Sequence, residues 1–67
     1  MPLRNFSKIL NKKMKEHNIT PAKLARLIDT SDTSVHRYIK GTSIPRPLLL
    51  GRIAKALQCS VNDFYTE

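Results

Sequence analysis

Along the first quarter of the chain apolar residues recur at the three- and four-residue spacing of an amphipathic helix. Phe6, Ile9, Leu10 and Met14 share one side, with Lys8, Lys12, Lys13 and Lys15 at the positions between. The pattern predicts a first helix over about 5–17, with Asn5 or Ser7 able to cap its start. It ends near His17-Asn18, since Asn tolerates a left-handed backbone. Thr20-Pro21 opens a second helix over about 21–28, because a hydroxyl at the N-cap accepts a backbone amide and Pro at the first position gives up a donor the helix does not use. Leu24, Ala25 and Ile28 form its inner stripe, and Lys23, Arg26 and Asp29 point outward. The polar run Asp29-Thr30-Ser31-Asp32 is a turn, and Ser31 or Asp32 starts a third helix over about 32–40. Val35, Tyr38 and Ile39 are its buried side; Thr33, His36, Arg37 and Lys40 are its outer side. Gly41 is placed to take the left-handed residue that closes it.

The segment 42–47 holds two prolines and no periodicity, so it reads as a loop made stiff by Pro45 and Pro47, with Arg46 projecting between them. Leu49, Leu50, Ile53, Ala54 and Leu57 define a fourth helix over about 47–57, which Gly51 weakens by about 1 kcal/mol relative to Ala. Ser60 and Asp63 have the spacing of a capping box and start a last short helix over about 61–66 that carries Val61, Phe64 and Tyr65. With no strand pattern, repeat or low-complexity tract, the fold class expected is all-α: one compact five-helix domain over 1–67, with Leu24, Val35, Tyr38, Leu50, Ile53 and Phe64 in its core.

Charge then narrows the partner. Twelve Lys and Arg against five Asp and Glu give a formal net charge of +7, which attracts polyanions such as nucleic acid or an anionic membrane. No apolar stretch approaches the roughly 20 residues of a membrane span, and the first residues mix apolar and basic types instead of forming a signal-peptide core. The chain therefore reads as intracellular. Cys59 is the only cysteine, so no intramolecular disulfide and no thiolate cluster for zinc can form, and its expected role is a small buried hydrophobe. His17 and His36 lack the paired spacing of helical metal sites, so neither metal nor cofactor is expected. Ser, His and Asp fall at caps, turns or outer faces, none flanked by a Gly-rich elbow, which argues against a catalytic triad and against an enzyme.

Two short helices joined by a tight polar turn form the unit that fits the major groove of B-DNA. The groove is about as wide as one helix, so long side chains all along the outer face would hold the helix off the bases. Thr33 and Ser34 are short enough for close approach at the start of the third helix, and Arg37 is long enough to reach a base edge one turn later.

At Ile19-Thr20-Pro21-Ala22-Lys23-Leu24-Ala25, at Ser31 to Gly41, and at Ile53-Ala54-Lys55-Ala56-Leu57-Gln58-Cys59-Ser60-Val61-Asn62-Asp63-Phe64, the chain resembles the lambda-repressor-like helix-turn-helix proteins of phages and bacteria. The resemblance covers nearly the whole chain and implies a five-helix domain with the third helix in the major groove of double-stranded DNA. It implies base-reading or groove-facing roles for Asp32, Thr33, His36 and Arg37. Phosphate contacts are expected at Thr20, Ala22, Lys23, Ser34, Lys40, Thr42, Ser43 and Arg46. Two departures stand out. Pro21 replaces the glutamine that many relatives use to grip a phosphate, which shifts that contact to Thr20, to the Ala22 or Lys23 amides, or to the Lys23 ammonium. Ile39 and Met14 stand where many relatives pair a glutamate with an arginine, a double replacement that leaves neither charge unpaired.

Each assignment has a plainer rival. Arg37 is a base reader, a phosphate contact or a solvated charge; Asp32 caps the helix or accepts from a cytosine amino group. His36 is an exposed polar residue or a group that makes binding pH-sensitive. The lysines of the first helix are a solvated face or phosphate contacts. As a whole the resemblance implies a cytoplasmic, DNA-associated repressor or related regulator on a two-fold operator, acting as a homodimer that forms on DNA if not before. No segment remains beyond five helices for separate dimerisation, which points self-contact to Leu48, Val61 or Tyr65. No small-molecule ligand is evident. The alternatives are a protein-interaction or antitoxin-like module on the same fold, and a nonspecific nucleic-acid binder.

Overall fold

The computed structural model describes residues 5–65. Within them the chain forms four α-helices and one 3-10 turn: α1 (Phe6–Glu16), α2 (Pro21–Leu27), α3 (Asp32–Lys40), α4 (Pro47–Ala56) and the turn Val61–Phe64. No strand occurs among the described residues. α2 packs on α3 and α4, while α1 packs on α3 and on the 3-10 turn, which also touches α4. The body measures 27 × 22 × 19 Å.

Side chains at helical spacing meet in one core: Phe6, Leu10 and Met14 from α1, Leu24 and Ala25 from α2 with Ile28 just beyond it, Val35 and Tyr38 from α3, Leu50, Ile53 and Ala54 from α4 with Leu57 after it, and Phe64. Burial of these apolar groups is the main stabilising term in a body this small. Phe6 is its aromatic centre, with Phe64 at 5.1 Å between ring centroids and Tyr38 edge-on at 6.5 Å. Among the described residues no polar or charged side chain is buried, and no buried side-chain nitrogen or oxygen lacks a partner. Ile39 is half-buried instead of fully inside, and so is Cys59. Burial pushes the Cys59 thiol up from its usual range; nearby Lys13 pulls the other way and Asp63 adds to the rise.

The four α-helices close in the same way. A residue with positive φ follows each, Asn18 (54°), Asp29 (59°), Gly41 (83°) and Gln58 (54°), and the amides after the helix turn back onto its last carbonyls. The pairs Ile19 to Met14, Thr30 to Ala25, Thr42 to Arg37 and Cys59 to Ala54 each bond at 2.9–3.0 Å, which satisfies carbonyls the helix leaves open. Arg52, an exposed residue of α4, also donates from Nη1 to the Ile28 carbonyl at 3.3 Å and ties α4 to the end of α2.

The expected fifth helix is corrected by the structure. Over Val61–Phe64 the chain makes a single 3-10 turn, with the Asp63 amide on the Ser60 carbonyl and the Tyr65 amide on the Asn62 carbonyl, both at 3.0 Å. The capping box is present, Ser60 N–H donating to Asp63 Oδ2 and Asn62 N–H to Ser60 Oγ, each at 3.2 Å. Phe64 must drop into the core only four residues after that cap, and a segment too short to repay helix nucleation takes the tighter i to i+3 pattern. Tyr65 is left exposed, and position 66 of the expected helix lies outside the described residues. At the other end Asn5 occupies the N-cap of α1, but its side chain makes no capping hydrogen bond, and Ser7 lies inside the helix.

Candidate nucleic-acid interface

α3 is held from behind and at both ends, which leaves one side facing out. Val35 and Tyr38 peg it into the core. At its start the Ser34 amide donates to Ser31 Oγ at 3.2 Å, and the Ser31 hydroxyl donates to Ser34 Oγ at 3.1 Å. Ser31 is therefore the cap, and the reading of Asp32 as the capping residue is corrected. Asp32 is the first helical residue, where a carboxylate still suits the positive end of the helix. At the other end Gly41 takes the left-handed conformation, and Thr42 covers the Arg37 carbonyl with both its amide (3.0 Å) and its hydroxyl (3.3 Å). From α1, the Asn11 side-chain amide reaches the Ile39 carbonyl at 3.3 Å.

The outer side that remains consists of Asp32, Thr33, His36, Arg37 and Lys40, all exposed. Ser34 is half-buried, but its hydroxyl accepts from Ser31 and so keeps its own proton to donate to a phosphate, whereas the Thr42 hydroxyl donates its proton to the Arg37 carbonyl and would have to release that bond first. Past α3, Ser43 is half-buried, Pro45 is buried, and Arg46 is exposed at the N-cap of α4.

Two open grooves flank α3 and meet at Thr20. One is lined by Thr20, Ala22, Lys23, Arg26 and Asp32, between α2 and the start of α3. There the Thr20 hydroxyl accepts from the Lys23 amide at 3.2 Å. That amide is thus already engaged by the cap, whereas the Lys23 ammonium is exposed. The second groove runs between α1 and α3, with Lys15, Asn18 and Thr20 on one wall, His36 on the other, and Met14 with Ile39 at its base. Met14 and Ile39, one from α1 and one from α3, thus line the same groove.

Three residues of this surface were not singled out as contacts from sequence. Arg26 was read only as an outward charge of α2, yet it shares a groove with Lys23 and Asp32. Asn11 and Asn18 carried no signal as contacts, because their neighbours come from α3, 18 to 28 residues on. Among the described residues no group of three or more His, Cys, Asp and Glu could hold a metal ion, and no helix is long and apolar enough to cross a membrane.

Compared with known proteins, residues 10–64 match a family model described as Helix-turn-helix, a span that runs from α1 to the 3-10 turn and includes every groove-facing residue named above. No curated protein and no solved structure matches the chain.

Proposed function

The chain belongs to the lambda-repressor/Cro-like helix-turn-helix family, and on that premise we propose that it is a sequence-specific transcriptional repressor of double-stranded DNA. The observation that carries this reading is the outer side of α3. Thr33, His36, Arg37 and Lys40 are exposed on a helix fixed at both ends, with a short residue first and long basic ones after it. A helix so presented can enter the major groove by its N-terminal end. In this reading Asp32, Thr33, His36 and Arg37 read base edges. The hydroxyls of Thr20, Ser34, Thr42 and Ser43, the Ala22 amide, and Lys23, Lys40 and Arg46 meet phosphates, which supply most of the affinity but no sequence information.

In this reading two copies sit on a two-fold operator, one α3 per half-site about one helical turn apart. Leu48, 69 % exposed at the start of α4, and Tyr65, 38 % exposed after the 3-10 turn, are apolar surface such a pair would cover, together with half-buried Val61 at the start of that turn. Occupancy of the operator would exclude polymerase.

Selection of bound sequences from a random pool of duplex DNA tests the proposal. A palindromic consensus is the expected result. Binding without any consensus would reduce the protein to a nonspecific nucleic-acid binder. No retention of duplex at low salt would leave only a protein-interaction role.

A further inference from the structure

Four lysines lie on α1, and the structure separates them. Lys13 is half-buried and pairs with Asp63 at 3.8 Å, beside the 3-10 turn. Lys8 and Lys12 border a groove with Asn5 and Ile9, all of it on α1 and its cap, with no wall from α2 or α3. Lys15 stands in the last turn of α1, exposed, with its carbonyl holding the Asn18 amide at 3.2 Å. It alone of the four faces the groove that His36 of α3 borders on the far side and Thr20-Pro21 closes at the end.

That groove has a chemistry of its own. Its rim offers an ammonium from Lys15, carboxamides from Asn11 and Asn18, a hydroxyl from Thr20 and an imidazole from His36, and its base is apolar. No carboxylate lines it, so nothing within it competes for the Lys15 charge. Pro21, at the same end, has neither an amide proton nor a side-chain donor, so an anion in this groove must be held by the residues around it. A phosphodiester fits this set: singly charged, rich in acceptors, and carried by the strand that borders a helix lying in the major groove.

We propose that Lys15, with Asn18 and Thr20 beside it, holds one backbone phosphate of the duplex read by α3. The proposal rests on the DNA-binding reading above. Lys15 acts here as a positioning residue. A contact on the flank of α3 sets how far the helix advances into the groove and leaves base identity to its outer face.

The test compares the full chain with Lys15→Ala, Lys15→Arg and Lys12→Ala by fluorescence anisotropy on a mixed-sequence duplex of about 20 base pairs, over about 0.05–0.3 M salt. Thermal melting of each variant checks that all are equally folded. Lys15→Ala is expected to flatten the log Kd against log salt slope by about 0.9, the loss of one phosphate contact. Lys15→Arg should retain the slope, and Lys12→Ala, which removes the same charge, should leave it unchanged. Equal effects of Lys15→Ala and Lys12→Ala, or none from either, would overturn the assignment while leaving DNA binding intact. Failure of the unaltered protein to bind duplex at the lowest salt would instead bring down the DNA-binding reading and this one with it.

Discussion

The side-chain nitrogen of Asn11 lies 2.9 Å from the Ser7 carbonyl and 3.3 Å from that of Ile39, so one amide of α1 is shared between its own helix and the last turn of α3. The second of these bonds fixes the height of α3 against α1. Asn11→Ala should cost about 0.5–1.5 kcal/mol, the net value of a partly exposed hydrogen bond, measured as a lower urea midpoint at unchanged slope. A midpoint equal to that of the unaltered protein would deny the bond any role.

The two glycines should respond to alanine with opposite signs. A Cβ on Gly51, inside α4, would meet nothing within 4 Å, so Gly51→Ala should stabilise by up to about 1 kcal/mol through helix propensity. At Gly41 the backbone sits at φ 83°, and a Cβ would lie 3.2 Å from Ser7 Oγ. Gly41→Ala should therefore destabilise by about 1–2 kcal/mol. Thermal melting of the pair decides the matter; the same sign for both would contradict the geometry.

Phe64 is 1 % exposed and packs against Phe6, tilted by 47° with 5.1 Å between ring centroids, although the turn that carries it is only four residues long. Phe64→Ala should cost about 3–5 kcal/mol, close to the whole stability expected of so short a chain. Circular dichroism should show a largely unfolded protein at room temperature. A loss below about 1 kcal/mol would mean that the turn is an ornament and not a keystone of the core.

Arg37 is exposed one turn into α3, with nothing acidic on the same outer face except Asp32 at its start. Arg37→Ala should weaken binding to the selected operator by about 1–3 kcal/mol and relax preference at one base pair. An equal loss on every duplex, read by repeating the selection, would make Arg37 a phosphate contact.

Lys23 carries an exposed ammonium beside Thr20 and Arg26, while its amide serves the Thr20 cap. Replacing Lys23 by Ala keeps that amide and removes only the charge. The salt slope of operator binding should flatten by about 0.9, with the melting temperature unchanged.

Much of this molecule could be read from spacing alone, and the residues say why. Leu24, Ala25 and Ile28, then Val35 and Tyr38, repeat at helical intervals because one side of each helix must meet a single core. Thr20 and Gly41 act through neighbours three to five residues away, which a sequence displays directly. The outer side of α3 follows once the inner side is known. Between Ser31 and Asp32, both good caps, only the folded geometry chooses. A four-residue segment carries too little periodicity to separate a 3-10 turn from an α-helix. Asp29 and Gln58 take left-handed backbone where the sequence offers no glycine, and the bonds from Asn11 to Ile39 and from Arg52 to Ile28 depend on helices that meet only after folding. The unequal standing of the α1 lysines has the same origin, since it is set by what lies beside the helix and not by what lies along it.

A core with no buried charge among the described residues has a practical corollary. Dissolved ions act on exposed charges over about 10 Å at 0.1 M and do little to apolar contacts, so brine should strip such a protein from a polyanion long before it loosens the fold. Ionic strength thus works as a release handle: protein eluted from a DNA column by salt should emerge native and rebind on dilution.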